Sequence, residues 1–589
     1  MKSNTRVKTP GVETQDDGST YFADHIRDPK TTPEHEIDEL LETLTAHKSE
    51  WAKLDISERL HLLDEARQEL WAIRDEWVQA EINAKDIAAG SFGVAEEWVI
   101  LAQIFRAIRQ IESTLRDIQS QGRPVVPGQV TSGPGKRAVL NVFPQSIWDR
   151  LIFLGIKGEV WLEPGIASDE MFADQAAKYR DQDYHGKVGL VLGAGNVGML
   201  PFCDSFQKMF VELQVVILKL NPVNAHLGPM FEKSLQSFIQ RGFLAVVYGG
   251  AEQGSYLCNH PLVEEIHMTG SDKTYEAIVF GIGDEGRRRK RERQPMNTKP
   301  FTGELGNITP LIIVPGPWTQ SDMSEYAKHI GSWLVANAGF ACLTPRVIIQ
   351  HGSWPDKNRF MDTLKNELSQ YPTRKAYYPG AFQIHQDFLT AHPDAHLMGT
   401  AVGDHLPWTI CSDLDPEVTD DICFRREGFG GLSAEVSLKA DSIEEFLDNA
   451  VDFANNTLWG TLCAILIVHP KSLVQPGVAE AVDRAIANLH YGTVAVNMLA
   501  FYSTYFTICP WGAPPGHDIY DIQSGRGKNF NFLMLDHVEK VVVKAPFKRL
   551  DPLTIRAKRA DIFARKLAAF EAYPSWPKLV GLLLAALRD

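Results

Sequence analysis

The stretch Asn337-Ala338-Gly339-Phe340-Ala341-Cys342, taken with Thr302-Gly303-Glu304-Leu305-Gly306-Asn307 upstream of it, decides how this chain is to be understood. A thiolate attacks carbonyl carbon readily, and a carboxylate held nearby can activate the water that later releases a covalent acyl group. Cys342 is therefore the candidate nucleophile and Glu304 its candidate general base. Neither says much alone, because a lone cysteine usually serves as a small core residue.

Around these two segments, short apolar strands alternate with helical stretches. Segments 188–192, 215–218, 245–248 and 265–268 form one series, and 308–314, 346–350, 435–438 and 464–468 a second. Such alternation is the pattern of a parallel α/β sheet. Two sheets with a cleft between them would suit a cofactor domain and a catalytic domain. Nearer the start, Asp55 and Glu58 suggest a capping box ahead of Leu60, Leu63, Leu70 and Ile73, and a second helix is expected over about 94–115. Glycine and proline break the pattern over 125–134, and 137–142 then reads as a strand in an interdomain or subunit-bridging ribbon.

Composition bounds the function classes. The 589 residues are 44% hydrophobic and 23% charged, enough to bury sizeable cores in two or more domains. A net charge of −15 argues against a nucleic-acid partner held by broad phosphate attraction. The run Arg287-Arg288-Arg289-Lys290-Arg291 is a local exception, read as a solvated loop insertion rather than a binding patch. The seven cysteines show no CxxC pair and no His-Cys grouping at metal-ligand spacing, so neither disulfides nor a structural zinc are expected. The first 32 or so residues are polar and lack the apolar core of a signal peptide, and no apolar run has the length of a membrane span. A cytoplasmic location is the simplest expectation.

Gly193-Ala194-Gly195-Asn196-Val197-Gly198 follows an expected strand and matches the dinucleotide fingerprint GxGxxG. That fingerprint also expects a carboxylate about 20 positions on, whereas the next strand ends Leu218-Lys219-Leu220-Asn221-Pro222. An ordinary Rossmann reading is incomplete.

A wider set of residues accounts for the same stretch better. Asn196, Lys219, Thr269-Gly270-Ser271, Glu304-Leu305-Gly306, Cys342, Glu427-Gly428-Phe429-Gly430 and Gly492-Thr493-Val494-Ala495-Val496-Asn497 occur in the order seen in the aldehyde dehydrogenase superfamily, which the chain resembles from about residue 40 to 548. The resemblance implies two Rossmann-like parallel-sheet domains plus a small oligomerisation ribbon. It divides the chain into a polar segment 1–35, a cofactor-binding domain 36–307 with a bridging strand within 125–145, a catalytic domain 308–498, a return to the cofactor domain and an oligomerisation strand over 499–548, and a C-terminal helical extension 549–589.

The same resemblance implies the roles. Cys342 would attack the aldehyde, the Asn196 amide and the Cys342 backbone N–H would hold the oxyanion, and water activated by Glu304 would hydrolyse the thioester. Lys219, Gly270, Ser271, Glu427 and Phe429 would meet NAD or NADP, and no metal is implied. Pro222 stands where a ribose-binding glutamate can occur, which leaves NADP open. Tyr275 replaces a glycine of the cofactor turn, and residues are inserted between Pro510-Trp511-Gly512 and Ser524-Gly525-Arg526-Gly527, so an altered substrate entrance is expected. A homodimer or homotetramer is implied, with contacts near 137–142 and 538–543. Release to CoA instead of water, or cofactor binding without catalysis, are the alternatives. The apolar segment 579–587 is too short to span a bilayer; docking on the protein itself or on a partner subunit, contact with a membrane surface, and shaping of an apolar entrance are all left open.

Overall fold

Strands such as Val215–Lys219 (VVILK) and Cys463–Ile467 (CAILI) carry no polar face because both of their sides are buried. That is how parallel strands read when helices cover a sheet on both faces. The computed structural model describes residues 30–587 and contains two such sheets; the polar segment expected over 1–35 lies almost wholly outside them.

The smaller sheet has six strands in the order Gly525–Arg526, Phe301–Glu304, Glu265–Thr269, Val188–Leu192, Val215–Lys219 and Leu244–Val247. All pair in parallel except the short 525–526 strand, which runs antiparallel to Phe301–Glu304 with Gly525 opposite Glu304. The larger sheet has eleven strands. Its parallel centre runs Val538–Lys544, Thr493–Val496, Cys463–Ile467, Thr309–Ile313, Pro345–His351, Leu432–Leu438 and Trp408–Leu414. Lys157–Leu162, Ala138–Phe143 and Val130–Ser132 extend one side of it antiparallel.

This register bears on the subunit contact expected near 538–543. Both edges of Val538–Lys544 are occupied within the chain, by Thr493–Val496 and Lys157–Leu162, so its backbone hydrogen bonds are made internally. The sheet ends in the exposed strand Val130–Ser132 on this side and in His396–Met398 on the other. Two smaller expectations also change. Asp55 begins the helix Ile56–Ala72 without any side-chain cap, because Glu58 turns away to pair with Arg241. The basic run lies in a helix, Gly283–Arg291, not in a loop. Asp284 and Glu285 occupy its first turn and the arginines its last, as the helix dipole favours, and Arg287, Arg288, Arg289 and Lys290 all pair with acids.

The long helix Phe92–Gln121 packs against the helices Ile56–Ala72, Arg74–Ala84 and Met199–Phe206 and is buried on most of its surface. The C-terminal extension docks on it through the helix Ala560–Ala572. Glu571, fully buried, ties the two together: Arg106 donates to its Oε1 at 3.0 Å, Arg109 donates to its other oxygen, and Arg106 also reaches Asp149 at 2.8 Å. Of the expectations for this extension, docking on the chain itself is therefore realised. The final helix Trp576–Ala586 packs back on Ala560–Ala572 and leaves Trp576, Val580 and Leu584 exposed. No helix of the described residues is long and apolar enough to cross a membrane.

Removing one partner of a buried ion pair leaves an uncompensated charge, at about 3–5 kcal/mol. Glu571→Ala should therefore free the terminal helices first: amide exchange over 560–586 should accelerate ahead of the rest of the chain, with a lowered Tm. Unchanged protection there would show that apolar packing alone holds the extension.

Candidate active site

Cys342 and Glu304 reach the same point from different sheets. Glu304 ends the strand Phe301–Glu304 of the smaller sheet, and Cys342 lies in the loop entering Pro345–His351 of the larger one. The Cys342 thiol donates to Glu304 Oε1 at 3.1 Å. Glu304 is nearly fully buried, its Oε2 has no hydrogen-bond partner among the described residues, and burial raises its carboxyl to about 7 against opposing hydrogen bonds from Trp511 and Cys342. Burial, and then the Glu304 charge beside it, push the Cys342 thiol well above its ordinary value. The resting pair is a neutral thiol on a carboxyl poised near neutrality.

The loop carrying Cys342 is bent by three consecutive left-handed residues, Asn337, Ala338 and Gly339, with φ of 49°, 55° and 79°. Gly339 is obligatory, since a Cβ there would sit 2.2 Å from the Gly430 carbonyl oxygen. Asn337 holds the bend: its N–H donates to Glu96, and its side-chain amide donates to the Asn196 and Phe340 carbonyls at 2.8 and 3.0 Å. Asn196 is brought into the same cavity as Cys342 and Glu304. One hydrogen of its Nδ2 is taken by the Phe340 carbonyl at 3.0 Å, which fixes the amide and leaves its second hydrogen for a ligand.

Glu427 arrives on the loop before Leu432–Leu438. Gly306 makes room for it, because a Cβ there would lie 2.3 Å from Glu427 Oε2. Burial raises Glu427 to about 7, opposed by Arg346 and the Asn307 N–H, and its Oε1 has no partner among the described residues. Phe429, two residues on, packs against Phe340 and Tyr378. Lys219 ends the strand Val215–Lys219 almost fully buried. Its ammonium makes no hydrogen bond or ion pair among the described residues, and burial lowers it to about 8. Gly270 donates its N–H to the Glu304 carbonyl, while Ser271 caps the helix Asp272–Phe280 through Thr274 N–H at 3.1 Å. Both are exposed and remain apart from the thiol.

Tyr275 and the inserted segment belong together. Tyr275 is buried with Met268, Val279, Phe280, Leu305 and Ile522, and its hydroxyl donates to the Ile519 carbonyl at 2.9 Å. The insertion thus covers the cofactor-turn helix. None of residues 513–523 is among those lining the cavity that holds Cys342, Glu304 and Asn196.

That cavity, about 160 Å³, is lined by Cys342, Glu304 and Asn196 among others. Its wall is mainly apolar, including Phe92, Ile100, Met199, Trp333, Phe501 and Leu553. Sequence reasoning missed several contributors. Trp511 was noticed only as part of a closing motif, Asn337 only as a neighbour of Cys342, and Asp551 and Leu553 carry no local signal at all. All seven cysteines are free.

Against known proteins, residues 213–382 match the model described as the aldehyde dehydrogenase family. The solved NADP-dependent glyceraldehyde-3-phosphate dehydrogenase from Bacillus halodurans, complexed with NADP, shares the fold at a TM-score of 0.58 and 17% identity, over 87% of this chain and 92% of that one. The match to the family is thus confined to that segment, while the fold is shared along most of the chain. Among curated proteins, it is 22% identical to the betaine aldehyde dehydrogenase of Agrobacterium fabrum over 76% of this chain and 84% of that one. It is 28% identical to aldehyde dehydrogenase LUC3 of a Fusarium species over 25% of this chain, a match spanning only 28% of that relative's length.

Removing the Glu304 charge should lower the Cys342 pKa and expose more thiolate. At pH 8, where Glu304 is ionised, Glu304→Gln should speed alkylation of Cys342 by iodoacetamide, about tenfold for each unit of lowered pKa. Peptide mass spectrometry reads this directly, and an unchanged rate would mean that the carboxylate does not restrain the thiol.

Proposed function

We propose that this chain oxidises an apolar aldehyde to its carboxylic acid with NAD or NADP as hydride acceptor. The observation that carries the reading is the Cys342 thiol donating to the Glu304 carboxylate in the wall of an apolar cavity. Nucleophile and base within hydrogen-bond reach are what acyl transfer through a cysteine requires.

The residues fit the dinucleotide on two counts. Lys219 is a nearly buried ammonium without a partner, and Glu427 a buried carboxyl with one unpartnered oxygen. Lys219 would hold a ribose hydroxyl or a 2′-phosphate, and Glu427 the hydroxyls of the other ribose. When bound, the cofactor supplies the acceptor for the hydride. The chain's own residues do the rest. Cys342 releases its proton to solvent and adds as the thiolate to the aldehyde carbon, while the free hydrogen of Asn196 Nδ2 and the Cys342 N–H hold the oxygen. Glu304 then takes a proton from water as that water attacks the thioester carbon, and the thiol leaves with the carboxylic acid formed. The contact between Glu304 and Cys342 supports water, rather than CoA, as the acyl acceptor.

The apolar wall supports an aldehyde with a hydrocarbon or aromatic body. Leu553 comes from the C-terminal arm, whose Ile555 N–H donates to Ser332 at 3.0 Å and so seats the arm against the cavity.

Reduced-cofactor formation should be abolished by Cys342→Ala and be independent of CoA. Glu304→Gln should cut steady-state turnover by about 10²–10⁴-fold, leaving a single-turnover burst of reduced cofactor. Because Glu304 must be ionised to act as base and titrates near 7, wild-type turnover should rise with pH through about 7, and that limb should vanish in the variant. Turnover that appears only with CoA would overturn hydrolysis.

Leu553→Ala should enlarge the cavity and shift kcat/KM toward longer or bulkier aldehydes by about tenfold or more, the scale of one or a few methylenes in an apolar pocket. A chain-length profile identical to wild type would remove the C-terminal arm from specificity.

A further inference from the structure

Behind the Glu427 loop the fold assembles a donor set that sequence spacing does not reveal. His392 follows the helix Ala381–Ala391, and its Nε2 lies 3.0 Å from Asp421 Oδ1. Asp421 precedes the turn Ile422–Arg425 and accepts the Cys423 N–H at 2.8 Å. The His392 nitrogen, an Asp421 oxygen and the Cys423 sulfur all lie within 4.8 Å of one another. Cys411, buried on the strand Trp408–Leu414, lies outside this triad. His392 and Asp421 remain partly open to solvent, whereas both sulfurs are buried.

We propose that His392, Asp421 and Cys423 form a three-ligand site for a thiophilic divalent cation of the zinc type, with water as the fourth donor. One imidazole, one carboxylate and one thiolate are donors such an ion accepts, at about 2.0–2.3 Å in a tetrahedron. Ligand atoms in that tetrahedron stand roughly 3.3–3.8 Å apart. The triad, whose donor atoms lie within 4.8 Å of one another, must therefore close by about 1 Å, and the open side at His392 and Asp421 gives the ion its way in. Binding forms a metal–sulfur bond as the Cys423 thiol releases its proton to solvent; nothing is oxidised or reduced.

The site stands apart from the thiol chemistry but bears on it mechanically. Cys423 precedes Glu427 by one turn of chain, and Phe424 between them accepts the Trp459 N–H through its carbonyl at 3.0 Å. An ion here joins the end of the helix Ala381–Ala391 to this turn, and so braces the segment that presents Glu427.

The test is cobalt(II) binding by the full chain in the Cys342→Ala background, which removes the site thiol as a competing ligand. About one equivalent should bind with thiolate-to-cobalt charge-transfer absorption, and zinc should displace it. His392→Ala, a partly exposed change, should weaken binding at least tenfold, and Cys423→Ser should abolish the charge-transfer band, with circular dichroism unchanged. Absence of that absorption from the reduced protein, or its persistence in both variants, would overturn the proposal.

Discussion

The arrangement depends on one buried guanidinium. Arg346, at the start of Pro345–His351, donates to the Gly339, Gly430 and Leu432 carbonyls at 2.7, 2.7 and 3.1 Å, and more distantly to Ala341 at 3.4 Å. No carboxylate shares a hydrogen bond with it among the described residues, and burial lowers it to about 10. Its planar fork joins the loop carrying Cys342 to the loop carrying Glu427 and Phe429. A lysine has a single charged point and could not hold two backbone segments in register this way.

What Arg346 clamps is strained. Non-glycine residues in the left-handed region cost roughly 1–2 kcal/mol each, and Asn337 and Ala338 sit there side by side. The strain persists because the surroundings over-determine the bend. Glu96 receives the Asn337 N–H while pairing with Arg374, and Tyr377 donates to the Asn196 carbonyl and to Asn337 Oδ1. A loop fixed from so many sides presents the thiol in one position. Burial sets the state of both groups: with the Glu304 charge it keeps Cys342 a neutral thiol, and it lets Glu304 titrate near neutrality.

Much of this was legible in the chain. Runs such as VVILK and CAILI marked the buried parallel strands, because side-chain type is dictated where both faces are covered, and Asn196, Glu304 and Cys342 marked residues that line one cavity. Boundaries slipped where the sequence lacks contrast: Leu432–Leu438 begins three residues before its expected start because Leu432, Ser433 and Ala434 mix polar and small side chains. Pairing partners were not legible either. Nothing local to Val538–Lys544 says that Lys157–Leu162 occupies its edge, and nothing near His392 says that Cys423 is its neighbour. Such facts belong to the closure of the fold.

The C-terminal arm shows why the cavity wall was the least legible part. Leu553 lies hundreds of residues from Phe92 along the chain, yet both face the same space because Glu571 anchors the arm to the helix that carries Phe92, while Arg556 pairs with Glu367 near its other end. A charge buried with two arginines cannot slide along an apolar surface as leucines could, so the anchor sets the register of everything before it. The polar contacts therefore act at a distance: they touch no part of the cavity, but they decide which apolar side chain closes it.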